Sequence, residues 1–176
     1  MKKIIFALFA LSALSFGAEP VDTATVPVNV SAIVSGSPAT QLVIVDEGGT
    51  AVINRIDITH ELTVDDQGII TTAANLVETS KFKVSRGTPG TVVIGKGKLN
   101  FALSAKKVSL EGVLESELTI PESLDITTDI SRTEAISLVS TISQIIEGSI
   151  IEAKTYTGAP SNLTVTYDKT ITPPTP

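Results

Sequence analysis

The sequence predicts an all-β fold, a sandwich or barrel of many short strands, on three observations. Apolar and polar residues alternate over many short segments, the period of a strand that buries one face. Turns bearing Gly and Pro separate those segments at the close spacing of a sandwich or barrel rather than of an α/β fold. Val, Ile and Thr are abundant, while aromatic residues make up only 4% of the 176 and Trp is absent. Such a β-branched balance favours strands.

The chain opens Met1-Lys2-Lys3, runs apolar from Ile4 to Leu14, and passes through Ser15-Phe16-Gly17 into Ala18-Glu19-Pro20. This reads as a secretory signal peptide over residues 1–17. Cleavage after Gly17 puts the small Ser15 and Gly17 in the peptidase subsites, whereas a cut after Ala18 would place Phe16 in one of them. The apolar run of about a dozen residues falls short of the roughly twenty that a membrane span requires. An uncleaved N-terminal anchor is the competing reading. No later segment is continuously apolar at that length, so the expected product is exported to the periplasm or cell surface and does not span the membrane.

Loss of the two leader lysines leaves 11 basic against 19 acidic side chains, a formal charge of −8, which argues against nucleic acid as a partner. The remaining length suits one domain with a core of its own. Cys is absent, so burial and strand pairing must supply the stability that disulfides often add after export.

Val26, Val28, Val30, Ala32 and Val34 alternate with Pro27, Asn29 and Ser31 in an N-terminal strand within residues 18–34, whose polar side Ile33 interrupts once. Pro27 cannot donate to a ladder, which suits an edge or an irregular start. Ser35-Gly36-Ser37-Pro38 is a turn, and the main domain follows over 35–169. Strands are expected at 41–45, at 56–64 with Ile56, Ile58, His60, Leu62 and Val64 on one face, at 81–85, 91–94, 98–105 and 114–120, and again at 149–154 and 162–167. Leu124, Ile126 and Ile130 continue the alternation. At Ser131-Arg132-Thr133-Glu134 the pattern changes to a capping box. The spacing of Ile136, Val139, Ile142, Ile145 and Ile146, closed by Gly148, predicts one short amphipathic helix near 132–147. Its Ser, Thr and β-branched content is poor for a helix and leaves a strand pair as the alternative. Residues 170–176, with three prolines, form an extended tail.

Chemistry is sparse. His60 is the only imidazole, and without Cys the common nucleophile–base arrangements are hard to assemble. Its place between Ile58 and Leu62 points to a core histidine with a hydrogen-bond partner. Asp65 and Asp66 adjoin Gly68 in a solvated turn that lacks EF-hand spacing. No phosphate-binding glycine loop follows a strand. The expectation is therefore a non-enzymatic protein with no catalytic residues, no metal and no cofactor. Asn29-Val30-Ser31 and Asn162-Leu163-Thr164 fit the glycosylation pattern as chance matches beside this bacterial-looking leader. Charge is segregated along the chain: Lys81, Lys83, Arg86, Lys96, Lys98, Lys106 and Lys107 lie between Thr79 and Leu110 without one acid. Two readings compete, solvent faces that keep strands from pairing at their edges and complementary contacts between successive copies.

Tyr156-Thr157-Gly158-Ala159-Pro160-Ser161-Asn162-Leu163-Thr164-Val165-Thr166-Tyr167 resembles the final strand of bacterial fimbrial (pilin-like) subunits, in which an aromatic and a glycine precede an alternating strand that ends in Tyr. Thr25 to Val34 is similar to the N-terminal strand of the cysteine-free class 5 (alternate chaperone-usher) type. The resemblance implies an immunoglobulin-like β-sandwich completed by β-strand addition. It implies a structural subunit of a fimbria or pilus with a role in cell adhesion. The implied partners are copies of itself or related subunits, a periplasmic chaperone and an outer-membrane usher. Val26, Val28, Val30 and Ala32 would be the donor-strand side chains, and Leu163, Val165 and Tyr167 the C-terminal strand interface. The alternative from the residues themselves is a self-contained periplasmic or cell-surface binding module.

Overall fold

The computed structural model describes residues 22–33, 41–71, 76–144 and 150–169. The expected leader, the 35–38 turn, Ile145, Ile146, Gly148 and the proline-rich tail lie outside the described residues. The described residues form ten strands: β1 (Asp22–Ile33), β2 (Leu42–Val45), β3 (Arg55–Val64), β4 (Val77–Arg86), β5 (Gly97–Leu103), β6 (Lys107–Leu110), β7 (Leu114–Thr119), β8 (Ser123–Ile126), β9 (Ile136–Gln144) and β10 (Ser161–Lys169). One sheet has the order β3-β1-β10-β5-β8 and the other β2-β4-β9-β7-β6. The fold is thus the expected all-β sandwich.

Alternation builds the core. Along β3 the even positions from Ile56 to Val64 are buried, while Arg55, Asp57, Thr59 and Glu61 are exposed. Phe82 on β4 meets Phe101 on β5 edge to face, with centroids 6.5 Å apart, and so joins the two sheets. Leu99, Leu110, Leu114, Leu138 and Leu163 are completely buried in the same cluster. Two turns share one design. Asp46 Oδ1 accepts from the Thr50 amide at 2.7 Å, and Asp65 Oδ1 accepts from the Ile69 amide at 2.7 Å. Gly49 and Gly68 supply the positive φ, 76° and 74°, that closes each loop at low cost.

The helix expected near 132–147 is corrected to strand: 136–144 is β9, which pairs with β4 on one side and β7 on the other. Ile136, Leu138, Ser140 and Ile142 point inward, which is period 2 with a serine at one inward position. That serine disguised the alternation and left the spacing of Ile136, Val139 and Ile142 to imitate a helix. Ser131 to Glu134 is not a cap. Thr133 instead extends the sheet, donating its amide to Val84 O at 2.9 Å and accepting the Val84 amide on Oγ1 at 3.0 Å. Arg132 Nη1 donates to Gly49 O at 2.7 Å and ties this segment to the first Asp turn.

Two further expectations change. Residues 91–94 make isolated bridges, Val92 to Arg86 and Ile94 to Ile130. Residues 150–154 carry no strand, although Ile151 is buried and its amide reaches Gly68 O at 3.0 Å. The four-residue β6 had no separate signal, since only Val108 and Leu110 alternate there.

Candidate functional site

The candidate strand-addition face is where the first and last strands meet. β1 pairs antiparallel with β3 over ten register positions, from Asp22 opposite Val64 to Ser31 opposite Arg55. It pairs parallel with β10 over four, from Val30 opposite Ser161 to Ile33 opposite Thr164. Of the predicted donor side chains, Val28 and Val30 are fully buried. Val26 lies opposite His60, and Ala32 opposite Leu163.

Hydrogen-bond direction along β3 accounts for Pro27. Thr63 O accepts the Thr71 amide at 2.9 Å on the side away from β1. Backbone groups alternate in an antiparallel ladder, so Thr63, Glu61, Thr59, Asp57 and Arg55 direct N–H and C=O outward while Ile56, Ile58, His60 and Leu62 bond to β1. Pro27 is opposite Thr59, at a pair that exchanges no hydrogen bonds, and its nitrogen faces away from β3. β10 reaches β1 only from Val30 onward, so among the described residues no strand stands beside Pro27 to require the missing donor.

On β10, Leu163 and Val165 are buried and Tyr167 is half-buried. The three alternate toward the core, as the sequence predicts. β5 lies antiparallel along the other side, Leu163 opposite Leu103 and Tyr167 opposite Leu99. The Tyr167 hydroxyl donates to Lys96 O at 3.0 Å, and the Arg86 guanidinium lies 4.8 Å from the ring centroid. The ring rests on Gly97, where an added Cβ would collide with Asp168 O and come 2.8 Å from Tyr167 Cε2. The sequence marks Tyr167 as the end of an alternating strand but contains no signal for its glycine seat or for Arg86.

Elsewhere polar side chains pair within the fold. His60 is fully buried, its Nε2 2.7 Å from Ser140 Oγ, which is 2.8 Å from Ser116 Oγ. A His–Ser pair at this distance resembles a nucleophile and its base, yet both side chains have zero solvent exposure and no substrate could reach them. Asp46 is held below the usual carboxylate range by hydrogen bonds from the Ala51 and Thr50 amides. Among the described residues no group of three or more His, Cys, Asp or Glu is placed to hold a metal ion, and no helix is long and apolar enough to cross a membrane.

The charge segregated along the sequence is interleaved in space. Lys98 lies between Asp168 on β10 and Asp125 on β8. Lys81 is 3.6 Å from Glu47, Lys106 3.9 Å from Glu122, and Lys107 2.7 Å from Glu115. The basic segment thus spreads over both sheets and meets acids from the rest of the chain, so it does not form a single basic face.

No family model, curated protein or solved structure matches the chain.

Proposed function

We propose that the protein is a structural subunit of a bacterial surface fibre that is assembled by passing β1 from one copy to the next, with adhesion as its role. The observation that carries this reading is the position of β1. It is the first strand among the described residues, it lies between β3 and β10, and it buries Val28 and Val30 completely. A strand so placed makes the same contacts whether it comes from its own chain or from a neighbour, so exchange costs little beyond rearrangement of the linker. Donation from each copy to the next is head-to-tail and does not close, which gives a fibre. Main-chain bonds supply the affinity, and the side chains of Val26, Val28, Val30 and Ala32 set the register. A periplasmic chaperone and an outer-membrane usher are the partners this assembly calls for.

A second reading, a self-contained periplasmic or surface binding module, is favoured by the ten-position pairing of β1 with β3 within one chain. One experiment separates them. Asn29 and Asp57 are opposite at a pair that exchanges no hydrogen bonds, the closer of the two antiparallel spacings. The sequence has no Cys, so an introduced pair is unambiguous. Cells would export one population carrying Asn29→Cys and another carrying Asp57→Cys, and surface protein would be oxidised and mapped by mass spectrometry. The fibre reading expects 29–57 cross-links between chains. If the double variant forms this link within single chains and the mixed populations never form it, β1 is not exchanged and the binding module is the better reading.

A further inference from the structure

We infer that the cleft beside Leu103, at the end of β5, binds a free L-α-amino acid with an apolar side chain. Such a site requires no exchange of β1. The cleft has a volume of about 240 Å³ and is lined by Phe101, Ala102, Leu103, Lys106, Ile120 and Glu122. Phe101 is buried and Ala102 exposed, so residues from both faces of β5 line it. The cleft therefore opens along the edge of the strand and not over one face.

The edge is open there because the chain changes sheets twice. β5 and β8 belong to one sheet, β6 and β7 to the other, so residues 104–106 leave the end of β5 and residues 120–122 arrive beside it. The pairing of β8 with β5 covers Gly97 to Asn100, and Glu122 adds one position by accepting the Phe101 amide at 2.9 Å. Ser104 donates in the opposite direction, to Asn162 O beside β5. Backbone groups alternate along an antiparallel strand. Leu103 therefore turns its N–H and C=O the same way as Phe101, into the cleft. Among the described residues no hydrogen bond reaches either group.

A free amino acid matches what this position offers. In a hydrogen-bonded antiparallel pair, each residue gives its N–H to the other's C=O, and the ammonium and carboxylate of an amino acid occupy those same places. Two L-residues paired in this way put their side chains on one face of the sheet. The ligand side chain thus turns inward with that of half-buried Leu103 and packs on Phe101 and half-buried Ile120. Lys106 Nζ is 3.9 Å from Glu122 Oε1, with the side chains 72% and 90% exposed, a pair that contributes little by itself. Neither side chain has another partner among the described residues, so each is free to follow the opposite charge of a zwitterion. The cleft is smaller than the roughly 300–1,000 Å³ of pockets for larger ligands. The crossings at 104–106 and 120–122 bound it at both ends and leave an extended peptide no path to continue.

The test is a titration of the purified protein with L-leucine, followed by amide NMR. Saturable shifts are expected at Leu103 and the other lining residues, with a dissociation constant of about 1 mM. Isocaproate lacks the ammonium, isoamylamine lacks the carboxylate, and the side chain of D-leucine would point to the opposite face. Each should bind at least about tenfold more weakly than L-leucine. Lys106→Gln and Glu122→Gln should each weaken L-leucine about threefold and leave the thermal unfolding midpoint unchanged, because both side chains are exposed. The absence of shifts in the lining up to about 20 mM L-leucine overturns the proposal. So does binding that D-leucine or the two single-charge analogues equal, or binding indifferent to both substitutions. No fibre is needed for this measurement, so its failure leaves the cross-linking test of β1 exchange untouched.

Discussion

His60 Nε2 on β3 and Ser140 Oγ on β9 are 2.7 Å apart across the interior of the sandwich, and Ser140 is in turn 2.8 Å from Ser116 on β7. The three side chains are fully buried and connect one sheet to two neighbouring strands of the other. Removing a partner from such a chain strands a buried polar group, which costs about 1–3 kcal/mol. Ser140→Ala and His60→Gln are each expected to lower stability by about that amount. In denaturant unfolding, H60L/S140A should cost less than the sum of H60L and S140A, because each single change already breaks the same bond.

The strand assignment of β9 predicts which neighbouring substitutions differ. Leu138 is fully buried and Val139 only partly so. Leu138→Ala should cost about 2–5 kcal/mol, and Leu138→Asp should prevent folding because it buries an unpaired charge. Val139→Thr should change the unfolding midpoint little. A reversed order of sensitivity would restore the helix.

Gly97 seats the Tyr167 ring, and any Cβ there meets both the ring and the carbonyl of Asp168. Gly97→Ala should therefore displace β10 from β5 and cost about 1–3 kcal/mol, as overpacked sites do. The shift is measurable by NMR as loss of the bond from Tyr167 to Lys96 and exposure of the Tyr167 ring. The buried Tyr156, whose hydroxyl accepts the Glu152 amide at 2.8 Å, should be unaffected.

Asp46 provides a pH dependence. Its carboxylate is stabilised in the fold by the Ala51 and Thr50 amides, which lowers its pKa below the ordinary value. A lowered folded pKa contributes stability above the unfolded pKa and loses it as pH falls through the folded one. The protection of the Thr50 and Ala51 amides against hydrogen exchange, taken relative to an unfolded chain at the same pH, should thus persist through neutral and mildly acidic pH and be lost only below the usual carboxylate range. Asp46→Ala should lower the protection of these amides at every pH.

Local pattern alone determined the all-β class, the buried face of β3 including His60, the Asp65–Gly68 turn, and the inward set Leu163, Val165 and Tyr167. In each the information lies in adjacent residues, because alternation follows directly from strand geometry. β9 required the tertiary structure. Ser140 is satisfied inside by His60, 80 residues away in sequence, and by Ser116, 24 away, and a polar inward position breaks the period on which a sequence reading depends. Nor could the sequence show that the lysines between Thr79 and Leu110 would be interleaved with acids, since sheet order sets Lys98 between Asp125 and Asp168. The suitability of Pro27 was legible as an edge preference. Its physical reason, a nitrogen turned away from β3 where β10 has not yet begun, exists only once the register of three strands is set.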